Sequence, residues 1–300
     1  MTFSIVAVDK ENEEVGFAIA SCSWDAGQVV FARAGIGAIA SQAKGNLDFL
    51  SRYFELYPDA PNLDYIIDAF REEDPDFETR QIGLASFDHA PTAFTGSKCS
   101  SWAGHRVGQN CACQGNILVG SEVIEAMIRT FESSDGALYE RLFSALQAGD
   151  ASGGDLRGRQ SARLCVKKRG WGQPGTDTLI DIAIPDNDCP VAEMARILEV
   201  RGHLVTILGK LSAASSGYPA KDAEVLDELR TFLSDKREPR YLDWWETLAD
   251  RYYELGSVDR AVQAYEIYLE INPALRTVLA AAIASGELPT ELAHRLGLLG

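Results

Sequence analysis

Met1-Thr2-Phe3-Ser4-Ile5-Val6-Ala7-Val8 opens the chain. Its β-branched and aromatic residues run without a breaker, so it reads as a strand that begins at the start of the sequence. Behind the initiator Met stands Thr2, small enough for Met1 to be trimmed. Trimming would place an α-amine, with a reference pKa of about 7.7–8.0, on the residue that carries a hydroxyl. Near neutral pH such an amine can take the hydroxyl proton, which makes a minimal nucleophile. The same letters also read as an ordinary edge strand that starts with Met-Thr.

Outward from this strand, residues 9–14 are wholly polar and 15–21 are apolar again, the pattern of a hairpin. A further strand is expected at 35–41, then helices at 47–57 and 63–70 from apolar residues three and four apart. Strands resume at 81–87, 92–95 and 110–114, followed by helices at 122–132 and 137–148. Strands at 161–166 and 178–184 and a long helix at 191–208 complete this region. Clustered strands with helices in pairs fit sheets covered by helices, not strict βαβ alternation. No Gly-x-Gly-x-x-Gly follows a strand into a helix, and no Gly-x-x-x-x-Gly-Lys-Ser/Thr occurs, so dinucleotide and P-loop readings lack support.

Composition narrows the function classes. The chain has 300 residues, 46% apolar, with 44 acidic against 28 basic side chains and a formal net charge of −16. Such an acidic protein offers no electrostatic funnel toward nucleic acid or anionic lipid. The absence of a signal-peptide pattern or a long apolar run makes a soluble cytoplasmic protein the expectation, with no membrane role. Six cysteines without a secretion signal are expected to be reduced. Cys111 and Cys113 share one strand face and, with no Cys/His cluster of zinc spacing beside them, read as packing residues. No metal or cofactor is implied.

Residues 212–219, polar and small, mark a boundary. Three segments are expected: a domain over 1–211, a linker and helix over 212–236, and a helical domain over 237–300. In the last, Trp245, Leu248, Ala249, Tyr252, Gly256, Ala261, Tyr265 and Pro273 resemble a tetratricopeptide repeat in order and spacing. A single repeat cannot bury its own faces, so it is expected to pack on helices at 223–233 and 275–285, with a last short helix after Pro289. Trp244 and Tyr253 are expected to be exposed and to suit a contact surface for a protein partner or a homo-oligomer.

Three polar stretches fall where strands should end: 40–43, then 93–97 with 102–105 and 113–116, and 153–162. Each joins glycine to hydrogen-bonding side chains, the composition of a backbone that approaches a ligand closely. Each alone also reads as a turn, with Asp155 pairing Arg157 or Arg159 at the surface. Taken together in this order, the opening strand, the 35–42 strand, the 93–105 segment, Gln114-Gly115-Asn116 and the Gly-Gly-Asp-x-Arg-Gly-x-Gln-Ser-Ala string resemble an uncharacterised bacterial family, domain of unknown function 1028. The resemblance spans about residues 1–210. That family resembles the N-terminal-nucleophile hydrolases, and some members carry a C-terminal segment labelled peptidoglycan-binding.

The resemblance implies an α/β (α+β) fold, a four-layer αββα sandwich with a small all-α C-terminal domain. It also implies Thr2 as nucleophile and base together, with Ser21 and Gln42 at strand ends where that fold keeps polar active-site residues. Asn116 would donate to an oxyanion. Asp155, Arg157 and Ser161 would orient the amine or hold a substrate carboxylate, for which Arg suits best. Ser4 shares the Thr2 face as a second nucleophile candidate, and His105 and Gln160 join Arg157 and Ser161 as substrate-binding candidates. The Asp and Lys usual to the superfamily near the second and third strands are not evident. The leading expectation is an amidohydrolase acting on a small-molecule or peptide-like amide. The alternative is a non-catalytic binding protein on the same scaffold, whose helical module recruits a partner.

Overall fold

The opening segment forms strand β1 (Thr2–Asp9), whose residues are buried from Thr2 through Val8. A strand covered on both faces has no solvent side, and so shows a continuous apolar run instead of strict alternation. The computed structural model describes residues 2–298. Among these, strands β2 (Glu14–Ser21), β3 (Val30–Arg33), β4 (Gly37–Ala43), β5 (Arg80–Ser86), β6 (Thr92–Thr95), β7 (Gly104–Val107), β8 (Cys111–Asn116), β9 (Ser161–Lys167) and β10 (Thr178–Ile184) build two sheets. One has the order β10-β9-β2-β1-β8-β7 and the other β3-β4-β5-β6. All pairings are antiparallel.

β1 and β2 form the expected hairpin, in which Asp9 accepts from the Glu11 and Asn12 amides and Asn12 Nδ2. Side chains alternate across each strand. Val6 and Val8 therefore meet Val15, Phe17 and Ile19 from the same sheet and Ala38, Ala40 and Ala85 from the other, in one core. The alanines on β4 and β5 let the two sheets approach closely. Phe3, on the opposite face of β1, lies against Gly149 of a covering helix, where a Cβ would come within 3.2 Å of its ring.

Helices α1 (Asp48–Leu56) and α2 (Leu63–Glu73) put Phe49, Tyr53, Ile66 and Phe70 into a core with Ile39, Ile82 and Leu84 on the outer face of the four-stranded sheet. Phe49 and Phe70 stack at 4.1 Å, and each such burial contributes about 1.5–3 kcal/mol. Asn62 caps α2 by accepting from the Tyr65 amide. Helices α3 (Glu122–Ser133) and α4 (Leu138–Ala151) cover the six-stranded sheet, with Ile124 against Gly115 and Leu142 against Gly16. Cys111 and Cys113 are fully buried on that helix-covered face, as packing residues should be. The sequence pattern does not reveal β3 or β7. β3 is a four-residue sheet-edge strand with Phe31 half in solvent, and β7 is Gly-His-Arg-Val, with little apolar signature.

The chain divides into two compact units between Ile197 and Leu198. This point falls inside helix α5 (Pro190–Ala213), ahead of the 211/212 boundary expected from composition. The second unit holds α6 (Pro219–Leu233), α7 (Leu242–Glu254), α8 (Val258–Ile271), α9 (Arg276–Ser285) and α10 (Thr290–Arg295). α7 and α8 make a helical hairpin around Gly256, at φ +72°. Ala249 and Ala261 are fully buried in its core with Trp245, Tyr252 and Tyr265, beside Leu226 and Leu229 of α6 and Leu279 of α9. Trp245 Nε1 donates to Lys236 O at 3.0 Å. Trp244 and Tyr253, expected to be exposed, are half-buried against this same core, because α7 has covered surface on more than its hairpin side. Among the described residues no helix is long and apolar enough to cross a membrane.

Candidate active site

Moving along β1 toward its first residue, the face turned to the second sheet changes from Val8 and Val6 to Ser4 and Thr2. Antiparallel register extends that change sideways. On β8, Asn116 pairs with Thr2 and Gln114 with Ser4. Ser161 on β9 pairs with Ser21 on β2, and His105 on β7 pairs with Gln114. Across the gap, Gln42 on β4 pairs with Gln81 on β5, which pairs with Thr95 on β6. One end of the space between the sheets is thus lined by hydroxyls and carboxamides, while the rest is apolar.

Buried polar groups need partners, and here they find them mostly in one another. Ser4 Oγ donates to Gln42 Oε1 at 2.7 Å and accepts from Gln114 Nε2 at 2.6 Å. Gln42 Nε2 faces Gln81 Oε1 at 2.9 Å, Thr2 O at 3.3 Å and Gln114 O at 3.3 Å. Gln81 is the hub. Its Nε2 reaches Gly115 O at 2.8 Å, Thr95 Oγ1 at 3.0 Å and Gly104 O at 3.1 Å. Its Oε1 accepts from Asn116 Nδ2, also at 2.9 Å. Gln114 Oε1 alone among these amide atoms is buried without a partner. It lies over Gly83, where a Cβ would stand 2.0 Å from it, so the glycine makes the space this amide occupies.

Thr2 is 7% exposed, and its Oγ1 lies 3.2 Å from Ser21 Oγ. Ser23 Oγ donates to Ser21 Oγ at 3.1 Å. Just beyond Ser21, the Cys22 amide donates to Asp155 Oδ2 at 2.9 Å. Asp155 also accepts from the Arg157 amide at 2.9 Å, pairs with its guanidinium at 3.2 Å, and bridges to Leu118, two residues past Asn116. Asp155 therefore ties together the continuations of both strands that flank β1, one through its carboxylate and the other through the main chain around it. Removal of Met1, on which a free Thr2 amine depends, lies outside the described residues.

The structure brings Thr2, Ser4, Ser21, Gln42, Asn116 and Asp155 together and sorts them by access. Ser4 is wholly buried with its hydroxyl engaged on both sides, and Thr2 is the more exposed of the two hydroxyls. Ser161 Oγ accepts from the Ala26 amide at 2.9 Å and shapes the chain after β2. Gln160 turns its amide to Asp186 at 3.1 Å, while its main-chain N–H holds Ser21 O. Arg157 keeps a half-exposed guanidinium over Asp155. His105 Nδ1 lies 2.9 Å from Thr95 Oγ1. Among the described residues no group of His, Cys, Asp and Glu is placed to hold a metal ion.

Gln81, which binds the cluster together, was not singled out from the sequence, and Gln114 and Thr95 entered only as members of polar stretches. The one available signal was Gly83, two residues past Gln81 on the same strand face, whose missing side chain makes room for the Gln114 carboxamide.

The family model described as a family of unknown function, DUF1028, matches residues 2–194. The structure is similar to the crystal structure of a Silicibacter pomeroyi protein assigned to that same family, with a TM-score of 0.60 and 25% sequence identity, covering 66% of this chain and 84% of that one. No curated protein matches the chain.

Proposed function

From the premise that the chain belongs to the DUF1028 family of unknown function, and from the site's geometry, we propose that it is an amidohydrolase of the N-terminal-nucleophile type. Its substrate is a small amide or peptide-like molecule, and Thr2 is the nucleophile. One observation carries this reading. The hydroxyl of the first residue of a central strand is nearly buried, lies 3.2 Å from Ser21 Oγ, and stands in register with the side-chain amide of Asn116.

With Met1 removed, the Thr2 amine takes the proton of Oγ1 as the oxygen attacks the amide carbonyl. Asn116 uses one Nδ2 hydrogen on Gln81 and retains a second for the oxyanion. The protonated amine then gives its proton to the leaving nitrogen, and water, deprotonated by the same amine, releases the acyl group. Ser21 holds the hydroxyl in place, and Gln42 holds the main-chain carbonyl of Thr2. Two facing antiparallel sheets with helix pairs on their outer faces support the four-layer αββα reading, and the α7–α8 hairpin supports a tetratricopeptide-like module for a protein partner.

The test is a panel of amides and acylated amino acids assayed with protein whose N-terminus is verified by intact mass. Wild type beginning at Thr2 hydrolyses a member of the panel, and Thr2→Ala remains folded but loses turnover at least 1000-fold. Hydrolysis by Thr2→Ala at the wild-type rate refutes Thr2 as nucleophile. Retention of Met1 without turnover favours the non-catalytic binding protein instead.

A further inference from the structure

Gln81 joins the Thr2 cluster to a second space. β6, β7 and residues 96–103 border an open cleft of about 530 Å³, with Thr95, Cys99, Ser101, Trp102, His105 and Arg106 in its lining. The indole of Trp102 closes over Gly104, where a Cβ would come within 2.6 Å of the ring.

None of these side chains offers an uncompensated charge. Arg106 Nη2 pairs with Glu125 at 3.2 Å and its Nη1 donates to His105 O. Burial pushes the Cys99 thiol up and the His105 imidazole down, so both are neutral near pH 7. Glu78, the carboxylate beside the rim, is committed to the Ser97 amide at 2.8 Å and hydroxyl at 2.7 Å.

The hydrogen bonds of Thr95 bear on which nitrogen carries the imidazole proton. Gln81 Nε2 donates to Thr95 Oγ1 at 3.0 Å. Thr95 Oγ1 lies 2.9 Å from His105 Nδ1, and with Gln81 donating to it this hydroxyl has its own proton to give to the ring. A neutral imidazole that accepts at Nδ1 carries its hydrogen on Nε2. Nε2 makes no hydrogen bond among the described residues. In that tautomer Nε2–H is an oriented donor, in a cleft whose lining guanidinium, Arg106, is paired with Glu125.

We propose that this cleft is a substrate subsite that takes an uncharged group, whose carbonyl or hydroxyl oxygen accepts from His105 Nε2–H. The word substrate rests on the hydrolase reading above; the binding does not. A neutral amide fits this site better than an acidic one. A carboxylate would find the cleft's guanidinium, Arg106, already paired with Glu125, and the one expected to receive it, Arg157, sits over Asp155 instead. Gln81 places the subsite one side chain from the reaction centre, since the carboxamide that orients Thr95 also accepts from Asn116 and Gln42.

The experiment uses full-length Thr2→Ala protein, labelled with ¹⁵N-histidine, so that binding is read without turnover. His105 is expected to show a protonated Nε2 and an unprotonated Nδ1 at pH 7.5. N-acetylalanine methylamide is expected to shift the Nε2 resonance, N-acetylalanine to bind at least tenfold more weakly, and His105→Phe to lose at least tenfold in affinity for the methylamide. A proton on Nδ1, an unmoved His105, equal or tighter binding of the carboxylate, or undiminished binding by His105→Phe overturns the proposal. If His105→Phe does not fold, the tautomer and the shift of His105 itself decide. A shifted His105 in a protein that hydrolyses nothing on the panel refutes the hydrolase and leaves the subsite. Hydrolysis with His105 unmoved does the reverse.

Discussion

Replacing Gln81 with Leu removes the side chain that joins β4, β5, β6, β7 and β8 at the polar end of the inter-sheet space. Leucine nearly matches glutamine in volume, so the change is chiefly one of hydrogen bonding. Two groups lose a partner: Asn116 Nδ2 and Gly115 O, both on residues buried in β8. An orphaned buried group costs about 1–3 kcal/mol, so the pair costs about 2–6 kcal/mol. Thr95 and Gly104 are partly exposed and can turn to solvent, and Gln42 Nε2 keeps Thr2 O and Gln114 O. The added apolar surface returns roughly 1 kcal/mol, leaving a net loss of about 1–5 kcal/mol. For a unit of this size that lowers the melting temperature by about 2–20 °C, at about 2–4 °C per kcal/mol. Differential scanning calorimetry of the full chain reads the shift, with Gln160→Leu as the comparison. The Gln160 amide reaches only a surface aspartate, so that change stays within about 0.5 kcal/mol. A Gln81→Leu shift no larger than that of Gln160→Leu would refute the hub.

Two further outcomes follow from the same first unit. The Arg80 guanidinium, joined by Asn46 and the Asp76 amide, outweighs the cost of burial and holds the Asp74 carboxyl below its ordinary 3.8. A carboxylate depressed in this way stabilises the fold fully above about pH 4 and loses that contribution as pH falls through its native value. Asp74→Asn is therefore expected to cost about 1–3 kcal/mol at pH 7, with the gap to wild type narrowing below pH 4; urea unfolding at pH 7 and pH 3 checks this, and a gap that widens in acid contradicts it. Gly83→Ala would push a Cβ to 2.0 Å from Gln114 Oε1 and disturb the bond from Gln114 to Ser4. Overpacking of this kind costs about 1–3 kcal/mol, so an unchanged thermal midpoint would show that the amide can move aside freely.

Local patterns in the sequence carried much of this protein. The β1–β2 hairpin, the paired helices that follow the strands, and the α7–α8 hairpin with its small Ala249 and Ala261 are all written in neighbouring residues, because periodicity and turn chemistry act over a few positions. Thr2 was legible for the same reason: a hydroxyl directly behind Met1 needs no partner to be noticed. Short sheet-edge strands such as β3 and β7 were not, since four half-exposed residues carry too little pattern. The site divides along the same line. A glutamine in a strand looks alike whether it faces water or another sheet, and Gln42, Gln81 and Gln114 meet only because β4 and β5 pack across β1 and β8. Sequence therefore determined the longer strands, the helices and the first hydroxyl. Tertiary structure alone decided that Ser4 is engaged on both sides and that the Gln81 carboxamide joins Asn116 to the Thr95–His105 pair, because those arrangements depend on contacts between strands brought together by the fold.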